Sequence, residues 1–310
     1  MTTYKEAGVD IDAANEGLRR IKKHVSETFN KYTLSDIGSF GGCFNLPVNE
    51  YKNPVLVSSV DGVGTKLLIA ALANKHDTIG QCLVNHCVND ILVIGAKPLF
   101  FLDYFAAGKL NNDILENAIK GFSKACKENG CVLIGGETAE MPGFYDDNKY
   151  DVSGTIVGIA EKDNMLPNRK TEEGNLLVGL HSNGLHTNGY SLARKVLLSK
   201  YNIGDHIDRL GSSIDDELLK VHRSYLHVMS DILDKPWLRS LSHITGGGIV
   251  ENTHRVLEEG QDIDIDWGSW EWPEIFKMIQ EDGNVSTEDM IRPFNLGIGL
   301  ILIIDKNHLP

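Results

Sequence analysis

Residues 54–66 read PVLVSSVDGVGTK, and the fold of the chain turns on what this stretch is. Its centre, VLVSSV, is apolar and rich in β-branched residues, and Asn53-Pro54 bounds it upstream, so it reads as a short buried strand. Asp61-Gly62-Val63-Gly64-Thr65-Lys66 follows, and an apolar run over 67–73 then resumes with helix formers. Strand, acidic glycine turn, lysine and helix form a layout that can hold a polyphosphate and its cation. Gly62 and Gly64 let backbone N–H groups approach an anion, Lys66 supplies charge, and Asp61 can hold a cation. The GxxxxGK[ST] loop cannot be fitted here. The same residues also suit a plain turn, because glycine accepts positive φ. The rest of the chain decides.

Downstream, residues 77–95 read DTIGQCLVNHCVNDILVIG. At helical spacing Gln81, Asn85, His86, Asn89 and Asp90 share one side, and nearly everything else is Ile, Leu, Val or Cys. Such a helix is buried almost all round, so its polar stripe must meet something polar. An ionised Asp90 there costs several kcal/mol unless a cation or hydrogen-bond donors meet it. Core hydrogen bonding and ligand binding both fit. Cys82 and His86 lie four apart, but no second ligand pair follows, so they read as packing. Residues 131–134 read as a strand running into GGETAEMPG at 135–143, which places Glu137 after a strand end and a double glycine. Asp61, Asp90 and Glu137 thus point to one acidic, metal-holding site assembled from three elements.

Upstream, 10–29 reads as an amphipathic helix with Lys22 on or beside its polar side, and 35–43 as a glycine-rich loop. Strands are expected at 99–107 and 150–161 and a helix at 113–129. The polar stretch 162–174, with Pro167, marks the boundary between domains at 1–166 and 167–310. The second half continues with a strand at 176–180, then HSNGLHTNGYS (181–191), which suits an anion or carbonyl site or an Asn-Gly turn. A helix over 215–233 comes next, then a strand at 241–245 that leads through Gly246-Gly247-Gly248 into a helix at 249–258. Residues 267–280 and 287–292 read as helical, and 296–304 as the last strand. The fold class is α/β, in two domains.

The 310 residues carry a formal net charge of −13, which argues against a general nucleic-acid or anionic-membrane binder but not against phosphorylated small molecules. The N-terminus lacks a basic-then-apolar leader, and no apolar run approaches ~18 residues. Five cysteines without a CxxC pair suggest reduced thiols. A soluble cytoplasmic protein is expected.

Taken together the motifs become specific. YKEAGVDIDAANEGLRRIK (4–22), VDGVGTKL (60–67), HDTIGQCLVNHCVNDI (76–91), GGETAEMPGFY (135–145), SNGLHTNGYSLARK (182–195) and HITGGGIVENTHRVL (243–257) occur in order along the chain. The chain resembles the phosphoribosylformylglycinamidine cyclo-ligase, or aminoimidazole ribonucleotide synthetase, family. The resemblance implies a two-domain ATP-dependent fold whose N-terminal domain dimerises through its sheet. It also implies ATP-dependent, Mg²⁺-requiring cyclisation of formylglycinamidine ribonucleotide to aminoimidazole ribonucleotide in purine biosynthesis. Members of the family continue past the strand at 296–304 for roughly another helix and strand, whereas this sequence runs to Pro310.

By that resemblance Asp61, Asp90 and Glu137 hold Mg²⁺, and Gly62, Gly64, Thr65 and Lys66 bind the ATP phosphates under a cover that includes Gly41 and Gly42. His186, His243 and Lys22 match active-site positions. Asn183, Asn188 and Gly246–Gly248 are candidates for the substrate's phosphate or amide groups. Two rival readings are a selenophosphate-synthetase-like enzyme, since Cys43 lies in the glycine-rich loop, and a non-catalytic nucleotide-binding paralogue.

Overall fold

The computed structural model describes residues 4–6 and 8–308. Its first half builds α1 (Ile11–Ser26), β1 (Pro54–Gly62), α2 (Lys66–Ala73), α3 (Asp77–Leu92), β2 (Lys97–Ala107), α4 (Asn112–Glu128), β3 (Val132–Glu140) and β4 (Tyr150–Glu161). Capping starts the long helices where the sequence changes character. Asp10 accepts from the N–H groups of Asp12 and Ala13, and Asn111 from those of Asp113 and Ile114. The four strands lie in the order β1-β4-β2-β3. Only β2 and β3 are parallel, and α4 supplies the crossover such a pair requires. Helices α1, α3 and α4 cover one face of this sheet. The other face stays open, with Leu56 and Val60 56% and 64% exposed.

Helices α3 and α4 cross closely enough to demand glycine. A Cβ on Gly80 would lie 2.3 Å from the Ala118 carbonyl oxygen, and one on Gly121 would lie 2.2 Å from that of Asp77. Thirteen of the sixteen residues of α3 are buried, which bears out the expectation of a helix enclosed on nearly all sides.

Both acidic glycine turns prove to be strand. β1 runs through Asp61 and Gly62, and β3 through Gly135, Gly136 and Glu137. The register aligns Asp61, Gly154, Asp103 and Gly136 in one row across the sheet, and Gly62, Ser153, Tyr104 and Glu137 in the next. Successive rows point to opposite faces. Asp61 therefore faces the helices and Glu137 the open side, on the two edge strands, about 14 Å apart at about 4.8 Å per strand. A bulge between Leu133 and Gly135 causes this, because one extra residue flips the facing of everything after it. Within one chain the expected trio of Asp61, Asp90 and Glu137 is not assembled.

The second half builds β5 (Leu176–His181), α5 (Tyr190–Leu197), a small hairpin of β6 (His206–Ile207) and β7 (Ser212–Ser213), α6 (Ile214–Leu218) and α7 (Leu226–Met229). It ends with β8 (Leu238–His243), α8 (Gly248–His254), α9 (Glu274–Gly283), α10 (Thr287–Ile291) and β9 (Ile298–Ile304). Its sheet has the order β5-β9-β8, and every residue of the central β9 is buried. The helix expected over 215–233 is broken between α6 and α7. Its backbone there takes partners on α3 instead. Asn85 Nδ2 donates to the His222 carbonyl at 2.8 Å, Asn89 Nδ2 to that of Arg223 at 2.8 Å, and Tyr225 N–H to Asn89 Oδ1 at 3.0 Å. The polar stripe of α3 thus meets the second domain. Residues 267–273 are likewise not helical, and α9 begins only after Pro273.

Candidate active site

At this boundary the side chains form a continuous hydrogen-bonded chain. His86 Nε2 lies 2.7 Å from Asp61 Oδ2, and its Nδ1 lies 2.7 Å from Thr187 Oγ1. Thr187 Oγ1 is 3.3 Å from His222 Nδ1, and His222 Nε2 is 3.1 Å from His243 Nε2. His243 Nδ1 closes the run on Asp90 Oδ1 at 2.8 Å. The run begins and ends in the first domain and passes through the second, because α3 and the end of β1 supply Asp61, His86 and Asp90, while the 181–191 loop, the α6–α7 segment and the end of β8 supply the rest. His86, Asp90 and His243 also lie close enough together to hold a metal ion.

Proton counting constrains this chain. Both end carboxylates only accept, so five contacts need five protons, while Thr187 and three neutral imidazoles bring four. The electrostatics place the fifth on His86. Burial pulls that imidazole down, but Asp61 and Asp90 raise it by more. Burial dominates at His222 and His186, and the neighbouring histidines and Lys66 push the same way, so both are held well below the ordinary histidine range. At His243 burial also wins, against the opposing pull of Asp90. Burial raises the carboxyl of Asp61, and His86 lowers it by more. Asp90 balances in the same way, with His243, His86 and Ser59 lowering it. The Asp61 and Asp90 side chains remain 41% and 25% exposed, so both face the cleft. Asp103, in the same sheet row as Asp61, has no such compensation, and burial pushes its carboxyl up to about 7.

The remaining expected residues separate into three groups. Lys66 is fully buried, and its Nζ donates to the carbonyls of His186 at 2.9 Å and Lys220 at 2.7 Å and to Cys82 Sγ at 3.1 Å. Burial lowers this ammonium and Cys82 and Tyr190 raise it by more, so it stays charged. The expectation that Lys66 contacts phosphate is therefore corrected: its charge staples the two domains. Thr65 adds a contact to Ser191 at 3.2 Å. Gly64, at φ +53°, has nothing near the place a Cβ would take, and Gly62 precedes it in β1.

A second group gathers at the β3 edge. Lys22 Nζ pairs with Asp36 at 3.0 Å and ties α1 to the glycine-rich loop. In that loop Gly41 is open, and a Cβ on Gly42 would lie 2.7 Å from Ile134. Glu137 belongs here too. Neither Lys22 nor Glu137 joins the histidine chain.

A third group lines the second domain. Asn188 Nδ2 is 3.4 Å from Thr187 Oγ1, and Asn183 Nδ2 donates to the Val221 carbonyl at 2.8 Å. In the glycine triplet, a Cβ on Gly248 would lie 1.9 Å from the Ile291 carbonyl oxygen, and Gly247 sits at φ +100°. Close packing thus explains Gly248 and backbone conformation Gly247, while Gly246 stays exposed. His186 lies behind the cluster rather than at its carboxylates, its ring stacked on His222 at 4.0 Å.

Sequence reasoning placed His86 on the polar stripe but gave it no role, and it missed Thr187 and His222. Thr187 sat within the quoted HSNGLHTNGYS motif, where it could have been found. His222 gave no such signal, because it fell inside an expected helix.

The profile described as AIR synthase related protein, N-terminal domain, matches residues 46–160, and its C-terminal counterpart matches 172–308. A phosphoribosylformylglycinamidine cyclo-ligase of Geobacter metallireducens is 49% identical over 309 residues, covering 99% of this chain and 89% of the relative. Thiamine-monophosphate kinase from Stenotrophomonas maltophilia has a similar structure, with a TM-score of 0.64 at 14% identity over 93% of this chain and 85% of that one. The hydrogenase maturation protein HypE in complex with ATP gives 0.54 at 18% identity, over 94% and 76%. The two solved structures speak for the fold, and the relative speaks for more. With both domain profiles matched in order and near-half identity end to end, the chain belongs to the phosphoribosylformylglycinamidine cyclo-ligase family of ligases.

Proposed function

We propose that the protein uses ATP to close formylglycinamidine ribonucleotide into aminoimidazole ribonucleotide, releasing ADP and phosphate. One observation carries the reading at the level of the site: two cleft carboxylates from different elements, Asp61 and Asp90, are each held by a buried imidazole at 2.7–2.8 Å. Phosphorylating the formamide oxygen turns a poor leaving group into a phosphate. The amidine nitrogen then attacks the formyl carbon, a C–N bond forms, phosphate departs with that oxygen, and one proton leaves the nitrogen. The Asp90–His243 pair is placed to take it.

The donor set suits Mg²⁺, a hard cation that prefers oxygen. Asp61 gives one oxygen to Gly62 N–H and the other to His86, and Asp90 gives its two to Ser59 and His243, so each oxygen keeps a lone pair toward the cleft. When bound, Mg²⁺ neutralises charge on the transferring phosphoryl group. Gly62, Gly64 and Thr65 are the candidates for the phosphates, and Gly64 is the one with open space around it. Glu137 projects from the open sheet face, which we assign as the surface that pairs two copies. Lys22, Gly41 and Gly42 lie at the same edge, so this group would meet the nucleotide from the partner's side. Localisation in the cytoplasm fits such chemistry, and among the described residues no helix is long and apolar enough to cross a membrane.

The test is phosphate release and aminoimidazole ribonucleotide formation that depend on the amidine substrate. ATP binding without substrate-dependent phosphate release would overturn the reading. Asp90→Asn should lower kcat by about 100-fold or more while the fold, followed by circular dichroism, is kept. Near-normal turnover in that variant removes Asp90 from the metal site.

A further inference from the structure

Away from the cleft, a cavity of about 670 Å³ lies where β2 runs out, α2 ends and α3 and α4 begin. Its size is that of a small-molecule site, and it shares no residue with the histidine chain or the 61–66 turn. The register sets Tyr150 opposite Ala107, and the Tyr150 ring stacks on Phe105 with centroids 5.1 Å apart, which gives the cavity an aromatic wall. Gly108 N–H donates to the Lys149 carbonyl at 3.1 Å, and a Cβ on Gly108 would lie 2.3 Å from the Asp146 carbonyl oxygen. The 108–110 and 146–149 segments are thereby locked together, and the cavity is preformed.

His76 supplies the feature that packing does not explain. It is only 5% exposed, and its Nδ1 lies 2.9 Å from the Tyr150 hydroxyl. That hydroxyl has no other partner among the described residues, so it donates to Nδ1, and the neutral ring carries its hydrogen on Nε2. Burial lowers the pKa of this imidazole and outweighs the opposing pull of Asp77, which keeps the ring neutral. The Nε2–H has no acceptor among the described residues and is left to the cavity that His76 lines. A buried donor without an acceptor is costly, and a phenylalanine would fill the space at lower cost if packing were the only demand. At the rim stand Lys109 and Asp147, neither with an ion partner among the described residues. The start of α4 also borders the cavity, but Asn111 already takes its first N–H groups, so side chains carry the site.

We propose that this cavity binds a sugar phosphate: the phosphate accepts from His76 Nε2–H and the Lys109 ammonium, the sugar hydroxyls donate to Asp147, and the carbon skeleton lies against Phe105 and Tyr150. An unpaired ammonium beside a directional N–H suits a phosphate dianion. The carboxylate at the rim repels further negative charge, which favours a monoester over a polyphosphate. The proposal goes beyond the cyclisation reading and does not rest on it.

The test titrates ribose 5-phosphate into wild type, His76→Phe and Lys109→Met by isothermal calorimetry. The same titration of wild type carrying isotope-labelled histidine follows the His76 Nε2 resonance. Saturable binding should move that resonance and weaken by about tenfold or more in both variants. No saturable binding to wild type below about 10 mM overturns the proposal. So does binding that both variants leave within about twofold, since the ligand then sits elsewhere. Inorganic phosphate binding as tightly as ribose 5-phosphate reveals a nonspecific anion site only and also overturns it. Lys109 is exposed, so Lys109→Met keeps the fold. Should His76→Phe not fold, Lys109→Met and the resonance decide: a resonance that stays still overturns the proposal. None of these outcomes depends on turnover, so they stay readable if the cyclisation reading fails.

Discussion

Replacing Lys66 by methionine separates a phosphate ligand from a domain staple. The ammonium donates to two carbonyls of the second domain and to Cys82, and these three acceptors take up its three protons. Hydrogen bonds from a charged donor contribute about 1.5–3 kcal/mol each, so the two carbonyl bonds are together worth about 3–6 kcal/mol. Methionine fills the same channel and removes an ammonium whose burial costs several kcal/mol, but it strands both carbonyls. The balance leaves Lys66→Met about 2–4 kcal/mol less stable. At about 2 °C per kcal/mol for a chain of this size, Tm should fall by about 4–8 °C. Differential scanning fluorimetry measures that, and isothermal titration of the same sample with a non-hydrolysable ATP analogue measures affinity. The staple predicts a lower Tm with Kd changed only a few-fold. An unchanged Tm with Kd raised by about 100-fold, or about 2.7 kcal/mol, would refute the reasoning and restore Lys66 to the phosphates.

Asp103→Asn tests the raised carboxyl in the sheet. Its folded pKa lies near 7 against 3.8 for the free group, so the folded state keeps its proton where the unfolded chain has lost it. Stability is therefore unaffected below about pH 4 and declines as pH rises toward 7, by at most about 4 kcal/mol and nearer 2 where solvent reaches the half-buried group. The asparagine variant should match wild type in urea melts at pH 4 and exceed it at pH 8; equal stability at both would remove the effect. Val60→Glu places a charge on the open sheet face, and light scattering should then report monomers where the pairing surface predicts dimers for the wild type. A wild type that is already monomeric at micromolar concentration contradicts the pairing surface.

The strand expected at 55–60 and the enclosed α3 could be read directly, since β-branched clustering and a one-sided polar stripe are local properties of the chain, but the strand expected to be buried is an edge strand, 54–62, with no buried residue, because its outer face is left open. Asp61 and Asp90 followed from them, and the structure brings both to His86. Glu137 did not follow, because a single bulged residue near Ile134 reverses which face it occupies, and no composition signal marks a bulge. The break at 219–225 was hidden for a different reason. Apolar spacing continues through it, and what ends the helix is a set of asparagine side chains contributed from more than 130 residues away in sequence. Lys66 misled because a lysine after a glycine turn looks the same whether it points to solvent or into a neighbouring domain.

Helix α3 carries one further lesson, for anyone recombining relatives of this protein. The polar stretch at 162–174 invites a crossover point, yet Asn85, His86 and Asn89 are keyed to the backbone and side chains of residues 187 and 222–225. A chimera cut at the linker would pair one lineage's α3 with another's α6–α7 segment. The exchangeable block is thus discontinuous in sequence: a donor's second half must arrive with its own α3 to keep lock and key together.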